Sequence, residues 1–318
     1  MEKEWERLVS AVLRHDVRAL SRLASCVEDR VPGWREAMQA LLPHTGGARV
    51  IGITGPPGSG KSTLTGRLAA CLADQGWDVA VIAVDPSSLH SGGALLGDRL
   101  RMAERNSGDV YMRSLASRGA GGGLSQATRD LVRILDAFGK TLILVETVGA
   151  GQDDMDIAHV ADMVAVLCVP GLGDHVQAMK SGIMEIGDIF VVNKADMAGA
   201  DQVVADIEKA LGLRHGGIEP RPLVLRTAAE RSQGIEALAG ALTQRLVLRE
   251  SDRAARHLHH LEMETMELAT QRLRQVLREH LADINGRERY AQDGGTQLDP
   301  YALSDALFRA ELKGPPVP

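Results

Sequence analysis

A glycine-rich stretch that begins at residue 55 has the residue types and the spacing of a phosphate site. Gly55, Gly60, Lys61 and Ser62 fit the pattern G-x-x-x-x-G-K-[ST]. In this pattern the glycines let backbone N–H groups approach a β-phosphate, the lysine reaches the β- and γ-oxygens, and the hydroxyl binds Mg²⁺. The residues expected to contact the phosphate chain are Gly55, Pro56, Pro57, Gly58, Ser59, Gly60, Lys61, Ser62 and Thr63. An apolar run before them and a helical spacing of leucines after them argue against a mere glycine-rich surface turn.

A second motif, after the apolar run at 188–192, indicates a guanine base. It consists of Asn193, Lys194, Ala195 and Asp196. The carboxylate of Asp196 can accept both the N1–H and the 2-amino N–H of guanine, which adenine cannot offer, while the stem of Lys194 packs on the base. A loop after the last apolar run would bring a backbone amide to guanine O6. That loop consists of Thr227, Ala228 and Ala229.

The run at 141–145 ends in residues that suit a γ-phosphate sensor. Glu146 can hold a water bound to Mg²⁺, and the amide of Gly149 can donate a hydrogen bond to the γ-phosphate. A buried carboxylate at this point would be costly without a metal. Further along the chain, Lys180 could reach the nucleotide or a partner, with a solvated surface charge as the alternative.

Two aspartates follow the second apolar run and fall where a Mg²⁺ bound to phosphates would lie. They are Asp85 and Asp98. The alternative is that Asp85 caps a turn and that Asp98 pairs with Arg101. The predicted metal residues are Ser62, Asp85, Asp98 and Glu146.

Short apolar runs alternate with helical or glycine-rich segments from residue 50 onward. They lie at 50–54, 79–84, 141–145, 163–169, 188–192 and 222–226. This alternation predicts an α/β fold with a doubly wound, mostly parallel sheet. In such a sheet ligands bind beyond the carboxyl ends of the strands, which is where the motifs lie.

Helical segments flank this region on both sides. Residues 5–43 predict two short amphipathic helices broken near residues 31–33, and residues 252–285 predict one long helix followed by a second at about 300–312. The predicted domains are an N-terminal helical extension at 1–46, a nucleotide-binding domain at 47–250 and a C-terminal helical arm at 251–318. An exposed apolar stripe on this arm favours a homodimer.

The composition excludes several classes of protein. A net charge of −6 without a basic block gives no support for nucleic-acid or anionic-membrane binding. Three scattered cysteines argue against a disulfide framework and fit a reducing cytoplasm. No apolar run approaches the length of about 18 residues that a membrane span needs. We therefore expect a cytoplasmic protein whose partner is another protein.

Four motifs together resemble the MeaB/ArgK family of P-loop GTPases, and the likeness covers nearly the whole chain. They lie at 55–63, 85–88, 146–149 and 193–196. This family is similar to the methylmalonic aciduria type A protein. Its members are homodimeric chaperones of adenosylcobalamin-dependent acyl-CoA mutases; they gate cofactor loading and protect the mutase, with GTP hydrolysis as the clock. The resemblance implies GTP/GDP and Mg²⁺ as ligands and a P-loop GTPase domain at 47–250.

By the same resemblance the site residues acquire roles in hydrolysis. Lys61, Ser62 and Thr63 bind phosphate and Mg²⁺. Asp98 lies in a first switch, and Glu146 and Gly149 lie in a second. Residues 174–180, which include Lys180, form a third switch that faces the mutase. The implied catalytic residues are Lys61, Glu146, Gly149 and Lys180.

The chain departs from the family pattern at two places. The usual Thr-Ser-Ala of the guanine loop reads Thr227-Ala228-Ala229, which removes a hydroxyl. The third switch has His175 and Met179 where other residues are expected.

Three other functions are compatible with a P-loop domain, and the sequence disfavours each of them. A nucleotide-dependent kinase linked to basic amino-acid transport is disfavoured because Asp196 selects guanine. A nickel metallochaperone would be expected to carry a histidine-rich tract or a cysteine pair near the N-terminus, and neither is present. A module that binds without hydrolysing is disfavoured by the intact Lys61, Ser62 and Glu146.

Overall fold

The structure is a computed structural model that describes residues 2–85, 110–116, 126–149, 153–171, 182–214 and 221–283. The chain divides into two compact units, of which the first ends at Arg253 and the second begins at Ala254. No helix among the described residues is both long and apolar enough to cross a membrane. Each unit is described by itself below.

The first unit is built on one sheet that contains seven strands within the described residues. They are β1 (Arg49–Thr54), β2 (Val79–Asp85), β3 (Tyr111–Ala116), β4 (Leu142–Glu146), β5 (Met163–Cys168), β6 (Ile189–Val192) and β7 (Leu223–Arg226). Neighbouring strands are all parallel, in the order β3-β2-β4-β1-β5-β6-β7. The predicted α/β fold with a doubly wound parallel sheet is therefore confirmed.

The six predicted strands are all present, and the sheet has a seventh strand, β3, that the sequence did not predict. This strand has the sequence YMRSLA and lies at the edge of the sheet. An edge strand has only one neighbouring strand and needs no continuous apolar run. In β3, Arg113 and Ser114 interrupt the apolar pattern, so the sequence gives no strand signal there.

Ten α-helices lie within the described residues. They are α1 (Glu2–Leu13), α2 (Val17–Glu28), α3 (Trp34–Leu41), α4 (Lys61–Asp74), α5 (Gln126–Ala137), α6 (Asp153–Asp156), α7 (Ile183–Ile186), α8 (Ala200–Arg214), α9 (Ile235–Leu248) and α10 (Arg253–Asp283). Short 3₁₀ turns cover Leu42–His44, Ile157–His159, Ala229–Arg231 and Glu250–Asp252.

The N-terminal segment forms three helices, whereas the sequence predicted two. The additional break lies at residues 14–16, where His15 adopts a positive φ of 63°. Asp16 then caps α2, because its Oδ1 accepts hydrogen bonds from the backbone N–H groups of Arg18 and Ala19 at 2.8 and 3.1 Å. A capping aspartate inside an otherwise continuous amphipathic pattern is the signal that was missed.

Hydrophobic clusters cover both faces of the sheet. One cluster includes Leu20 and Leu41 of the N-terminal helices together with Ile82 of β2. The other includes Ile51 of β1 and Leu68 of α4. The N-terminal helices thus share a core with the sheet, and the predicted domain boundary at residue 46 stays a prediction.

Two partly buried ion pairs join the N-terminal segment to this core. Arg113 of β3 contacts Glu28 of α2 at 2.7 Å, and Arg30 contacts Asp130 of α5 at 2.8 Å. The side chain of Asp130 is only 4% exposed. Burial raises the pKa of the Asp130 carboxyl above its usual value, and the hydrogen bond from Arg30 opposes that rise.

Helix α10 confirms the predicted long helix as far as Asp283. It carries large apolar side chains that are exposed in the single chain, namely Leu258, Leu261, Met263, Met266, Leu268 and Leu273. The second helix, predicted at about 300–312, lies outside the described residues.

Candidate nucleotide site

The glycine-rich loop at 55–60 connects β1 to α4 at the carboxyl edge of the sheet. β1 lies between β4 and β5. Gly55 begins the loop with φ of +141°, and a Cβ at this position would lie 2.5 Å from the carbonyl oxygen of Leu167. Only glycine allows the loop to leave β1 this close to the neighbouring strand.

Lys61 is the first residue of α4 and is 7% exposed. Its Nζ donates hydrogen bonds to the carbonyl oxygens of Gly55 and Pro56 at 2.8 and 3.1 Å. A buried ammonium group needs such partners, because burial without them is costly. These bonds hold the positive charge across the loop, where phosphate oxygens would be bound.

Gly149 lies directly against this charge. It has φ of +84°, and a Cβ added to it would lie 2.3 Å from the carbonyl oxygen of Gly55 and 2.4 Å from Nζ of Lys61. The segment that follows β4 therefore contacts both the phosphate loop and its lysine.

Oxygen ligands suitable for a hard cation meet beside the same loop. The hydroxyl of Ser62 donates a hydrogen bond to Oε1 of Glu146 at 2.6 Å. Glu146 ends β4, is paired in register with Ile53 of β1, and is 5% exposed. Mg²⁺ bound to nucleotide phosphates takes hydroxyl, carboxylate and water oxygens, so this pair fits that ion.

The hydroxyl of Ser59 is a further polar group of the loop. Its Oγ is buried and has no hydrogen-bond partner among the residues that the structure describes. Buried hydroxyls in proteins are nearly always hydrogen-bonded, so this atom is consistent with a loop built to receive a polar ligand.

Asn193 joins the predicted base loop to the phosphate loop. Its side-chain amide donates to the carbonyl oxygen of Ser59 at 2.8 Å. Its Oδ1 accepts from Oγ1 of Thr227 at 3.0 Å and from the backbone N–H of Ala229 at 3.1 Å. Because Asn193 is 2% exposed, these bonds lie in the interior and fix three loops to one another.

Lys194 makes a second connection between the same loops. It adopts a positive φ of 55°, and its Nζ donates a hydrogen bond to the carbonyl oxygen of Gly58 at 2.9 Å. Its aliphatic stem therefore runs from the base loop to the phosphate loop, as expected for a side chain that flanks a bound base.

Asp196 makes an ion pair that the sequence did not predict. Its Oδ2 lies 3.1 Å from Nη2 of Arg231. The backbone N–H of Ala195 donates to the carbonyl oxygen of Thr227 at 2.9 Å, so the two loops that carry the ion pair also touch through their backbones. The sequence feature that could have indicated this ion pair is Arg231 itself, a cationic residue two positions after the predicted base loop.

Three predicted site residues take part in none of the contacts described above. Asp98 and Lys180 lie outside the described residues. Asp85 ends β2, where its backbone is paired in register with Ala116. The remaining predicted site residues lie on the phosphate loop or the first turn of α4, at or just after the end of β4, or on the two loops after β6 and β7.

Known proteins resemble this chain along most of its length. A family model described as "Methylmalonyl Co-A mutase-associated GTPase MeaB" matches residues 20–282. A protein of Pyrococcus abyssi that is named as a GTPase is 47% identical over 238 residues, which are 73% of this chain and 73% of that protein. GTPase ArgK of Escherichia coli is 37% identical over 240 residues, 72% of each chain.

The chain is also similar to a mouse protein and to a protein of known structure. The mitochondrial methylmalonic aciduria type A homolog of Mus musculus is 38% identical over 190 residues, 58% of this chain and 46% of that protein. The crystal structure of a protein named LAO/AO transport system kinase has a TM-score of 0.73 and 24% identity, and the match covers 98% of this chain and 99% of that one. This last likeness supports the fold alone. From the family match and these identities, the chain belongs to the MeaB family of P-loop GTPases and is itself a GTPase.

Proposed function

We propose that this GTPase is a chaperone of an adenosylcobalamin-dependent acyl-CoA mutase, and that it gates cofactor loading and protects the mutase through GTP hydrolysis. The observation that carries the proposal is the match of residues 20–282 to a family whose description names association with methylmalonyl-CoA mutase. The proposed setting is the cytoplasm.

In this proposal, different site residues bind different parts of GTP. The backbone N–H groups of the loop at 55–60 and the ammonium of Lys61 bind the β- and γ-phosphates. Ser62 and Glu146 would hold Mg²⁺, directly or through water, and the bound ion would supply positive charge to the phosphate oxygens. Asp196 accepts the two N–H donors of guanine, and Asn193 keeps the base loop and the phosphate loop in register.

The contact of Gly149 with Lys61 supplies the proposed link between nucleotide state and surface shape. A γ-phosphate bound by Lys61 must share the space in which Gly149 lies against that side chain. Loss of the γ-phosphate then changes the contacts of the segment after β4. In P-loop GTPases such switch segments are the parts that a partner protein reads.

The experiment that tests the function is GTP turnover by the full chain with and without an adenosylcobalamin-dependent acyl-CoA mutase. Partners that complete a GTPase site accelerate hydrolysis by about 10³–10⁵-fold in the best-studied cases, and we expect acceleration in that direction. If the mutase changes the relative affinity of the chain for GTP and GDP, nucleotide must change the affinity for the mutase by the same factor, because binding linkage is reciprocal. No acceleration and no nucleotide-dependent binding with any such mutase would contradict the chaperone proposal.

Lys180 is the proposed residue of the third switch in this coupling. Lys180→Ala should lower the mutase-stimulated rate and leave the unstimulated rate close to that of the parent protein. Lys209→Ala, which removes an exposed lysine of α8, is the matched control. Acceleration that survives in full in Lys180→Ala would remove this lysine from the mechanism.

We also propose that residues 251–318 hold a homodimer. The support is the row of exposed apolar side chains on α10, since large exposed apolar patches usually mark an interface. Light scattering should show a dimer for the full chain and a shift towards monomer for Leu258→Glu combined with Met266→Glu. Val17→Glu, at an exposed apolar residue of α2, is the control that should remain dimeric. A monomeric full chain at micromolar concentration would refute the dimer.

A further inference from the structure

Arg231, which pairs with Asp196, lies outside every motif identified in the sequence. Nη2 of Arg231 is 3.1 Å from Oδ2 of Asp196. The aspartate side chain is 27% exposed and the arginine side chain 64% exposed. The pair therefore remains accessible to solvent, and the arginine side chain is the more exposed of the two.

The loop that carries Arg231 is closed by its own backbone. Arg231 ends the 3₁₀ turn Ala229–Arg231, and its N–H donates to the carbonyl oxygen of Ala228 at 2.9 Å. Ala228 and Gln233 then exchange two backbone hydrogen bonds, at 3.0 and 3.2 Å. The Cα atom of Arg231 is fixed by this closure, so its long side chain starts from a defined position.

The loop that carries Asp196 is tied to the same frame. Ala195 donates its backbone N–H to Thr227, and Asn193 accepts from both Thr227 and Ala229. The two loops are thus joined at their buried ends by backbone and amide bonds. The Asp196–Arg231 pair is a further connection at the exposed end.

The loop at 227–229 has no side-chain donor of its own to offer the carboxylate. Ala228 and Ala229 lack polar side chains, and the hydroxyl of Thr227 donates to Asn193. Among the described residues, the polar side-chain contact recorded for the Asp196 carboxylate is Arg231. A carboxylate oxygen has two lone pairs, so an arginine on Oδ2 does not prevent the same oxygen from accepting a donor of the base.

We infer that Arg231 is a positioning residue for guanine recognition: it holds the Asp196 carboxylate in the orientation that accepts both N–H donors of the base. The inference rests on the proposed use of Asp196 to recognise guanine. Its physical basis is preorganisation, because a carboxylate that is already oriented loses less conformational freedom when the base binds. Arg231 acts through Asp196 and makes no contribution to the hydrolysis step.

The test compares dissociation constants of GTP, GDP and ITP for the full-length parent protein, Arg231→Ala and Arg231→Lys. Exposed ion pairs contribute modestly, so Arg231→Ala should weaken GTP and GDP equally, by about 2- to 5-fold. ITP lacks the 2-amino group and makes one fewer bond to the carboxylate, so its affinity should fall less. The KM for GTP should rise while kcat stays the same, and Arg231→Lys should recover part of the loss.

Arg226→Ala is the matched control for this experiment. It removes an arginine next to the same loop, but Arg226 pairs with Asp201, at 2.6 Å, and not with Asp196. Its three dissociation constants should equal those of the parent. An equal loss for GTP and ITP in Arg231→Ala would indicate a general disturbance of the loop and would overturn the inference. Unchanged or tighter GTP binding would overturn it as well.

A second pair of variants separates this inference from the proposal on which it rests. Asp196→Asn should weaken GTP and admit XTP, and the addition of Arg231→Ala to it should cause no further loss, because the carboxylate is absent. If Asp196→Asn keeps the parent preference for GTP, the guanine assignment fails. If that preference is lost in Asp196→Asn but Arg231→Ala alone binds GTP normally, only the role of Arg231 fails.

Discussion

The side-chain amide of Asn193 donates a hydrogen bond of 2.8 Å to the carbonyl oxygen of Ser59, which lies 134 residues earlier in the chain. This bond connects the loop after β6 with the loop after β1. Because Oδ1 of Asn193 also accepts from Thr227 and Ala229, one buried side chain sets the spacing of three loops. The distance between the phosphate loop and the proposed base loop is therefore fixed before a nucleotide binds.

Asn193→Ala should destabilise the protein and weaken nucleotide binding together. The change leaves the carbonyl of Ser59, the hydroxyl of Thr227 and the N–H of Ala229 buried without this partner, and each such group costs about 1–3 kcal/mol. Urea unfolding and GDP titration measure the two effects. Gln202→Ala removes an exposed amide that bonds to Asp206 and should change neither. Normal GDP affinity in Asn193→Ala would contradict the proposed joining role.

Lys61→Ala should nearly abolish nucleotide binding or turnover. The ammonium group supplies the full positive charge in a loop otherwise made of backbone dipoles, and it is held there by the carbonyl oxygens of Gly55 and Pro56. Phosphate release under saturating GTP is the measurement. Lys209→Ala serves as the control for loss of a surface lysine, and a parent-like rate in Lys61→Ala would mean that the phosphate loop has been misassigned.

Gly149→Ala should impair turnover much more than Gly171→Ala. Both glycines have φ of +84°, so the backbone strain of the substitution is matched. A Cβ on Gly149 would lie 2.4 Å from Nζ of Lys61, whereas a Cβ on Gly171 would meet no atom of the described residues within 4 Å. The measurement is the GTPase rate of each variant at a temperature well below the unfolding midpoint of both. Equal rates would show that the contact of Gly149 with the lysine is not used.

Asp130 should make the stability of the protein depend on pH. Burial raises the pKa of this carboxyl in the folded state, so the folded protein binds more protons than the unfolded chain between the two pKa values. Stability from this residue therefore falls as the pH rises from about 4 towards neutral. The free energy of unfolding of the parent minus that of Asp130→Asn should decrease over this range.

Urea titrations between about pH 4 and pH 7 check this prediction. Asp201→Asn, which removes a carboxylate that is 87% exposed, is the control for a general effect of charge. A difference between parent and Asp130→Asn that stays constant or grows with pH would contradict the expected sign.

Much of the nucleotide-binding region could be predicted because its signals are local. A buried strand, a glycine-rich loop and a helix follow one another in sequence at β1 and α4, and β6 leads directly into Asn193. Parallel strands place their carboxyl ends at one edge, so the motifs had to converge there. The positions of six strands followed from apolar runs in the same way.

The features that were missed depend on contacts between distant parts of the chain. β3 is a strand because it pairs with β2 and because its Arg113 forms an ion pair with Glu28 of α2. The Asp196–Arg231 pair depends on the closure of a loop that begins after β7. Periodicity and local propensity describe one stretch of sequence at a time, so they do not indicate which distant residues will be in contact.

The central position of β1 has a consequence for synthesis of the protein on the ribosome. Both neighbours of β1, β4 and β5, follow it in the chain, so β1 has no strand partner until Glu146 has left the exit tunnel and lacks its second partner until Cys168 has left it. Non-local pairing of this kind is slow, and an unpaired apolar strand is prone to aggregate. The nucleotide motif that is translated first must therefore wait for strands that are translated later, and the nascent chain is open to mispairing during that interval.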